Sequence, residues 1–142
     1  MTTSDLASGC TYWDTSAAVS ALVPDEYSEV AVAHVQSNAA HLLSSLTWAE
    51  VHAVIGRMER QRKISDLLSD AARNAIAARP WRWINVVPDR KVIRALAARW
   101  QLRGADLWHL AAAKTLKADR PELILLTFDR RLNAAAQEEG LA

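Results

Sequence analysis

Asp14, Glu50, Asp106 and Asp129 are the residues of this chain whose type and placement could do chemistry. They are far apart in sequence. Each nevertheless falls at or near the start of an expected helix, and Asp14 and Asp129 directly follow apolar, strand-like runs. In an open α/β sheet, ligands bind outside the carboxyl ends of parallel strands. Acids gathered there repel one another unless a cation holds them, and a carboxylate at the end of a buried central strand is costly unless it is paired or metal-bound. The set therefore points to a divalent metal site. Mg2+ and Mn2+ prefer oxygen donors, and Mg2+ keeps several waters, so few direct carboxylates are needed and open positions remain for a phosphate oxygen. Such an ion lowers the pKa of water and offsets the charge that develops when a phosphodiester is cut.

Each acid also has a plainer reading. Asp14 could help to cap the helix after its strand, and Asp129 could be the N-cap of the last helix. Thr47-Trp-Ala-Glu50 fits a capping box, and Asp106 could be a dipole-favoured acid in a first helical turn. Caps need not choose one edge of a sheet four times over, which favours the joint reading. Asp14 and Asp106 are the expected direct metal contacts, with Glu50 and Asp129 acting partly through water. Ser16 and Thr127 stand two residues from Asp14 and Asp129, where a hydroxyl can orient a carboxylate or a water.

The elements that must position these residues follow from periodicity. Thr11–Asp14, His41–Ser44, Trp83–Val87 and Leu123–Leu126 read as strands that are apolar throughout. Sheets covered on both faces require such runs. Helices are expected from Ala17 to about Leu22 with Ser16 as cap, and from Pro24 with Tyr27, Val30, Ala31, His34 and Val35 on its buried face. Another is expected from Thr47 to about Arg62, with Trp48, Val51, Val54, Ile55 and Met58 as its stripe. Ser65 should cap the next, which turns Leu68, Ala71, Ala72, Ala75 and Ile76 inward and ends at Arg79-Pro80. Further helices run from Pro88-Asp89 to about Trp100, from Ala105 to about Lys117 after a break at Gly104, and from Asp129 or Arg130 to about Glu139. Strands alternating with helices predict a three-layer α/β/α sandwich around a central parallel sheet.

The chain has 142 residues, 51% of them hydrophobic and 23% charged, which suits one domain with a real core. Residues 11–142 are expected to form it, with 1–10 a small polar tail that lacks the pattern of a secretion signal. The single cysteine, Cys10, excludes an internal disulfide, no Cys/His group has zinc spacing, and a reducing cytoplasm is the natural compartment. No stretch approaches the about 20 apolar residues of a membrane span. With 17 Lys and Arg against 16 Asp and Glu, a pocket holding four acids leaves an excess of about five positive charges on the rest of the surface. That suits a metal-dependent enzyme acting on a polyanion.

Tyr12-Trp-Asp-Thr-Ser-Ala-Ala-Val19, Leu46-Thr-Trp-Ala-Glu-Val51, Gly104-Ala-Asp-Leu-Trp-His-Leu-Ala111 and Leu126-Thr-Phe-Asp-Arg-Arg-Leu132 resemble, in order, the successive motifs of PIN-domain nucleases. The resemblance is strongest to the VapC-type toxins of bacterial toxin–antitoxin pairs and covers nearly the whole chain from Thr11. It implies a PIN-like fold and an Mg2+- or Mn2+-dependent endoribonuclease. It also implies that Asp14, Glu50, Asp106 and Asp129 form the acidic quartet, supported by Ser16. A cognate VapB-type antitoxin that blocks the pocket and a homodimer are further implications. A non-catalytic RNA- or protein-binding member of the same fold is the alternative, which an intact acidic set disfavours. A receiver-type module would need an acidic pair after the first strand and a late lysine, and a haloacid-type phosphatase an acid where Ser16 stands.

Arg130 and Arg131 follow Asp129 directly and are the best candidates for phosphate contact. Among the six tryptophans, Trp13 and Trp48 read as core, whereas Trp81 and Trp83, flanking Arg82, have the best case for an exposed role in stacking or at an interface. His109, one turn beyond Asp106, is within reach of a hydrogen bond to it and reads first as a satisfied structural histidine.

Overall fold

The computed structural model describes residues 9–142. The expected tail lies mostly outside them, and Cys10 already belongs to the first strand. In chain order the elements are β1 (Cys10–Trp13), α1 (Thr15–Leu22), α2 (Ser28–Val35), β2 (Ala40–Ser44), α3 (Ser45–Arg60) and α4 (Asp66–Ala77). They continue with β3 (Trp81–Ile84), α5 (Arg90–Arg99), α6 (Gly104–Lys117), β4 (Leu123–Leu126) and α7 (Arg130–Glu138).

The strands form one parallel sheet in the order β3-β2-β1-β4. Successive side chains on a strand face opposite sides, so each central strand feeds two cores. Tyr12, Leu42 and Leu125 enter one, packed under α5, α6 and α7 with Leu96, Leu110 and Leu132. Trp13 and Leu43 enter the other, under α1 to α4 with Ala17, Val51, Ile55, Ala72 and Ile76. This is the expected α/β/α sandwich. Its strand order adds what periodicity could not: the chain leaves β1 toward β2 and β3, then returns to place β4 on β1's other side. The crevice at this reversal, outside the ends of β1 and β4, is where open α/β sheets bind ligands. Asp14 follows β1, and Asp129 follows β4 after Thr127-Phe128.

Several local expectations are corrected. Asp14, not Ser16, caps α1, accepting from the Ala17 amide at 2.9 Å. α2 starts at Ser28 rather than Pro24, because Asp25 and Ser28 make a side-chain turn: Asp25 Oδ1 accepts from the Tyr27 amide and Ser28 Oγ from the Asp25 amide, both at 2.8 Å. Tyr27 and Val30 are consequently exposed, and Ala31 is the buried residue of that helix. Ser44, rather than Thr47, caps α3. The Thr47 hydroxyl instead donates to the Trp13 carbonyl oxygen at 3.2 Å.

In α4 the inward residues are Ser69, Ala72 and Ile76, while Leu68, Ala71 and Ala75 face out. β3 lies two residues earlier than expected, which buries Trp81 edge-on against Trp13, with ring centroids 4.7 Å apart. Trp81 therefore has no exposed role. Trp83 remains 43% exposed and packs edge-on against Trp48. Gly104 opens α6 instead of breaking the chain before it.

Candidate active site

All four acids line one cavity of about 110 Å3, together with Thr15, Ser16, Arg103 and His109. Four different helices bring them there: Asp14 caps α1, Glu50 lies on the second turn of α3, Asp106 in the first turn of α6, and Asp129 caps α7. For Asp14 and Asp129 capping and lining the cavity coexist, since a carboxylate that accepts from a helix amide is thereby fixed at the sheet's edge. Glu50 has no capping role. Its side chain reaches across the crevice to α1 and α6.

Asp14 is only 3% exposed. Its Oδ1 accepts from Ser16 Oγ at 2.8 Å and its Oδ2 from Thr127 Oγ1 at 2.5 Å. Thr127 Oγ1 in turn accepts from the Asp129 amide at 3.1 Å, and Ser16 Oγ from the Phe128 amide at 3.1 Å. The two hydroxyls thus pin the β1 carboxylate to the segment that carries Asp129. Burial pushes the Asp14 carboxyl above its usual range, against the pull of the hydrogen bonds from Thr127, Ala17 and Ser16. Burial also raises Asp106, and the charge of Asp129 adds to it. Crowding of like charges therefore contributes, as expected for clustered carboxylates, but desolvation is the larger cause.

Glu50 moves the other way. Its carboxyl is lowered chiefly by its hydrogen bond with His109, helped by Thr15. Glu50 Oε1 accepts from Thr15 Oγ1 at 2.8 Å and pairs with His109 Nε2 at 2.8 Å. His109 is buried, and its Nδ1 lies 2.7 Å from the Tyr12 hydroxyl, which also donates to Ser44 Oγ at 3.0 Å. His109, read first as a satisfied structural histidine, is one: both ring nitrogens have partners, but its acid is Glu50 and not Asp106, and a buried chain from Ser44 through Tyr12 orients its ring. Sequence spacing offered no signal for this pairing, because 59 positions separate the partners. Thr15 and Arg103 were also missed. Arg103, just before α6, is exposed and lines the acid cavity.

Arg130 and Arg131 are exposed and, with Arg103, line an adjoining cleft of about 420 Å3 that shares Asp106 and Asp129 with the acids. The donor set suits a hard cation. The candidate ligands are carboxylate oxygens, and both ring nitrogens of His109 are already engaged. Among the described residues, no three His, Cys, Asp or Glu side chains converge closely enough to hold one ion jointly.

Residues 11–138, which include all four acids, match the family model of the PIN domain. The chain belongs to the PIN-domain family. Two curated relatives from Mycobacterium tuberculosis strains, Ribonuclease VapC45 and Ribonuclease VapC49, are each 34% identical to it over 134 residues. Each alignment covers 91% of this chain and 90% of the relative. The crystal structure of Mycobacterium tuberculosis VapC20, described as a Sarcin-Ricin loop cleaving toxin, matches with a TM-score of 0.60 at 14% identity. That match covers 88% of this chain and 94% of the other, and it supports the PIN fold.

Proposed function

We propose that this PIN-domain protein is an endoribonuclease that hydrolyses RNA phosphodiester bonds with Mg2+ or Mn2+, acting as the toxin of a toxin–antitoxin pair. The observation that carries the reading is the gathering of four acids from four helices in one cavity at the reversal of strand order. The similarity to ribonucleases over nine-tenths of both chains supports it.

In this reading Asp14 and Asp106 contact the ion directly, and Glu50 and Asp129 act partly through water. Bound there, the cation supplies positive charge against the phosphate and makes water a stronger acid. The chain's own residues do the rest. Ser16 and Thr127 hold the Asp14 carboxylate in one orientation, and Thr15 and His109 do the same for Glu50. Such outer contacts matter because a misplaced ligand loses both affinity and geometry. Arg130 and Arg131, with Arg103 beside them, hold the flanking phosphates. They supply affinity without reading sequence.

A VapB-type antitoxin encoded alongside is the proposed protein partner, and a homodimer the proposed assembly. Among the described residues no helix is long and apolar enough to cross a membrane. A reducing cytoplasm suits the single buried thiol of Cys10. The test is direct. Purified protein should cut a bulk RNA sample in Mg2+ or Mn2+ and stop on addition of EDTA. Intact RNA under both metals would refute the enzymatic reading and favour a non-catalytic binding module.

A further inference from the structure

Beside the acids lies a second, larger groove of about 460 Å3, whose walls are Val19 of α1, Val54 of α3, Tyr27 and Phe128. It shares Thr15, Ser16 and Asp129 with the acid cavity, so the two are continuous. Tyr27 and Phe128 stack nearly parallel, with centroids 4.8 Å apart and planes 5° apart. Tyr27 is 36% exposed although it is a large aromatic residue. The arginine cleft meets the acids from another direction, through Asp106 and Asp129. Three zones thus adjoin in order: a basic cleft, the acidic centre, and an apolar groove with an aromatic wall.

We propose that this groove binds an unpaired nucleobase of the RNA, next to the phosphate at the acidic centre. The inference rests on the nuclease reading and adds a base subsite to it. A nucleotide strand is anionic along its backbone and flat and apolar at its bases, which is the sequence of surfaces these zones present. Bases stack readily on aromatic rings when no complementary strand covers them. A polypeptide side chain would also fill an apolar groove, but it does not account for the three arginines beyond the acids. Asp25 also lines the groove, and its Oδ2 accepts from Ser20 Oγ at 2.7 Å. Its carboxylate offers acceptor oxygens to the N–H groups on a base edge. The aromatic wall is offered to single-stranded RNA, since a paired base cannot leave its stack to reach it.

The test uses an oligoribonucleotide spanning a cut site mapped by sequencing the 5′ ends of cleaved RNA. In separate oligomers the base is removed from each nucleotide flanking the cut, leaving the ribose and phosphate. Wild-type protein should show a KM raised by about fivefold or more for one of the two abasic oligomers, the loss expected for one stacked base. Tyr27→Ala should suffer a similar loss on intact RNA, and removing the same base should then add little. Tyr27→Phe should behave and melt as wild type, whereas Tyr27→Ala loses its stack on Phe128 and should melt a few degrees lower, so KM is read well below both melting temperatures. Wild-type KM for both abasic oligomers would overturn the base subsite while leaving the nuclease intact, and would assign the groove to a protein partner. Effects of Tyr27→Ala and of base removal that simply multiply would also overturn it. Failure to cleave any RNA would instead overturn the nuclease reading and this inference with it.

Discussion

Replacing Asp14 with asparagine separates the cost of the site from its use. In the folded protein Asp14 Oδ1 accepts from the Ala17 amide and from Ser16 Oγ, and asparagine caps helices about as well as aspartate. Those bonds survive. The Nδ2 group would face Thr127 Oγ1, which now donates to Oδ2, so the threonine must turn its proton toward Ser16 Oγ, 3.3 Å away. That rearrangement costs about 1 kcal/mol.

Against it stands the removal of a buried charge. Burial raises the Asp14 carboxyl. For a raised carboxyl, protonation favours the folded state, and the penalty grows as pH climbs from the ordinary aspartate value, about 3.9, through the folded one. At pH 7.5 without metal, Asp14→Asn escapes that penalty. The two effects oppose each other, so the melting temperature should stay within about 5 °C of wild type.

Cleavage should fall far more. One full ligand charge in a site that works by electrostatics is worth about 3 kcal/mol, or at least about 100-fold in rate. Matched assays in Mn2+ and Mg2+, with thermal melts in EDTA and in metal, read both quantities. Metal should raise the wild-type melting temperature by mass action and raise the variant's less. Cleavage within about threefold of wild type would refute the assignment of Asp14. A drop in melting temperature beyond about 10 °C without metal would show that the carboxylate serves the fold instead.

Other perturbations test neighbouring parts of the argument. His109→Gln should slow cleavage by about 10- to 100-fold by releasing Glu50. It should cost about 1–3 kcal/mol in chemical denaturation, because the buried Tyr12 hydroxyl loses its partner; unchanged cleavage would mean that Glu50 does not need the histidine. Arg130→Ala combined with Arg131→Ala should weaken RNA binding evenly across sequences. It should also flatten the logarithmic salt dependence by about one for each lost phosphate contact, so an unchanged salt slope would remove both residues from the interface.

Far from the site, Glu139 bridges Arg99, Lys114 and the Trp100 indole. Burial alone would raise its carboxyl, but those hydrogen bonds outweigh it and hold it at about 2, below its ordinary 4.5. A lowered carboxyl stabilises the fold above its ordinary value and loses that contribution as pH falls toward the folded one. Glu139→Gln should therefore cost about 1–2 kcal/mol at pH 7 and nothing near pH 2, discounted because Arg99 and Lys114 are partly exposed. Equal losses at both pH values would contradict the ion-pair account.

The acids, their order and the α/β class were legible in the sequence because they rest on local facts. Asp14, Asp106 and Asp129 sit where helices begin and Glu50 one turn in, and the central strands β1 and β2 are buried throughout, whereas β3 and β4 expose Arg82, Trp83 and Ile124. Where the reading slipped, two local solutions competed. Thr47-Trp-Ala-Glu50 matches a capping box, but Ser44 stands one turn earlier and is already pinned by Tyr12, so it takes the cap and frees Glu50. Trp81 to Val87 is rich in strand formers on both sides of Asn85, and the choice of Trp81 as a strand residue was made by the Trp13 ring that packs against it. Pro24 marks a helix start by rule, but the Asp25–Ser28 turn delays it and leaves Tyr27 at the groove.

The sequence by itself determined which side chains carry charge and that each is presented at or near a helix start, because backbone periodicity and capping act over a few residues. Only the tertiary structure decided that β4 returns beside β1, since strand order depends on which apolar faces bury best together. That return places Thr127 against Asp14, 113 positions away, and α6 carries His109 onto Glu50. The same packing sets the carboxyl shifts, because desolvation is a property of the assembled crevice rather than of any one residue.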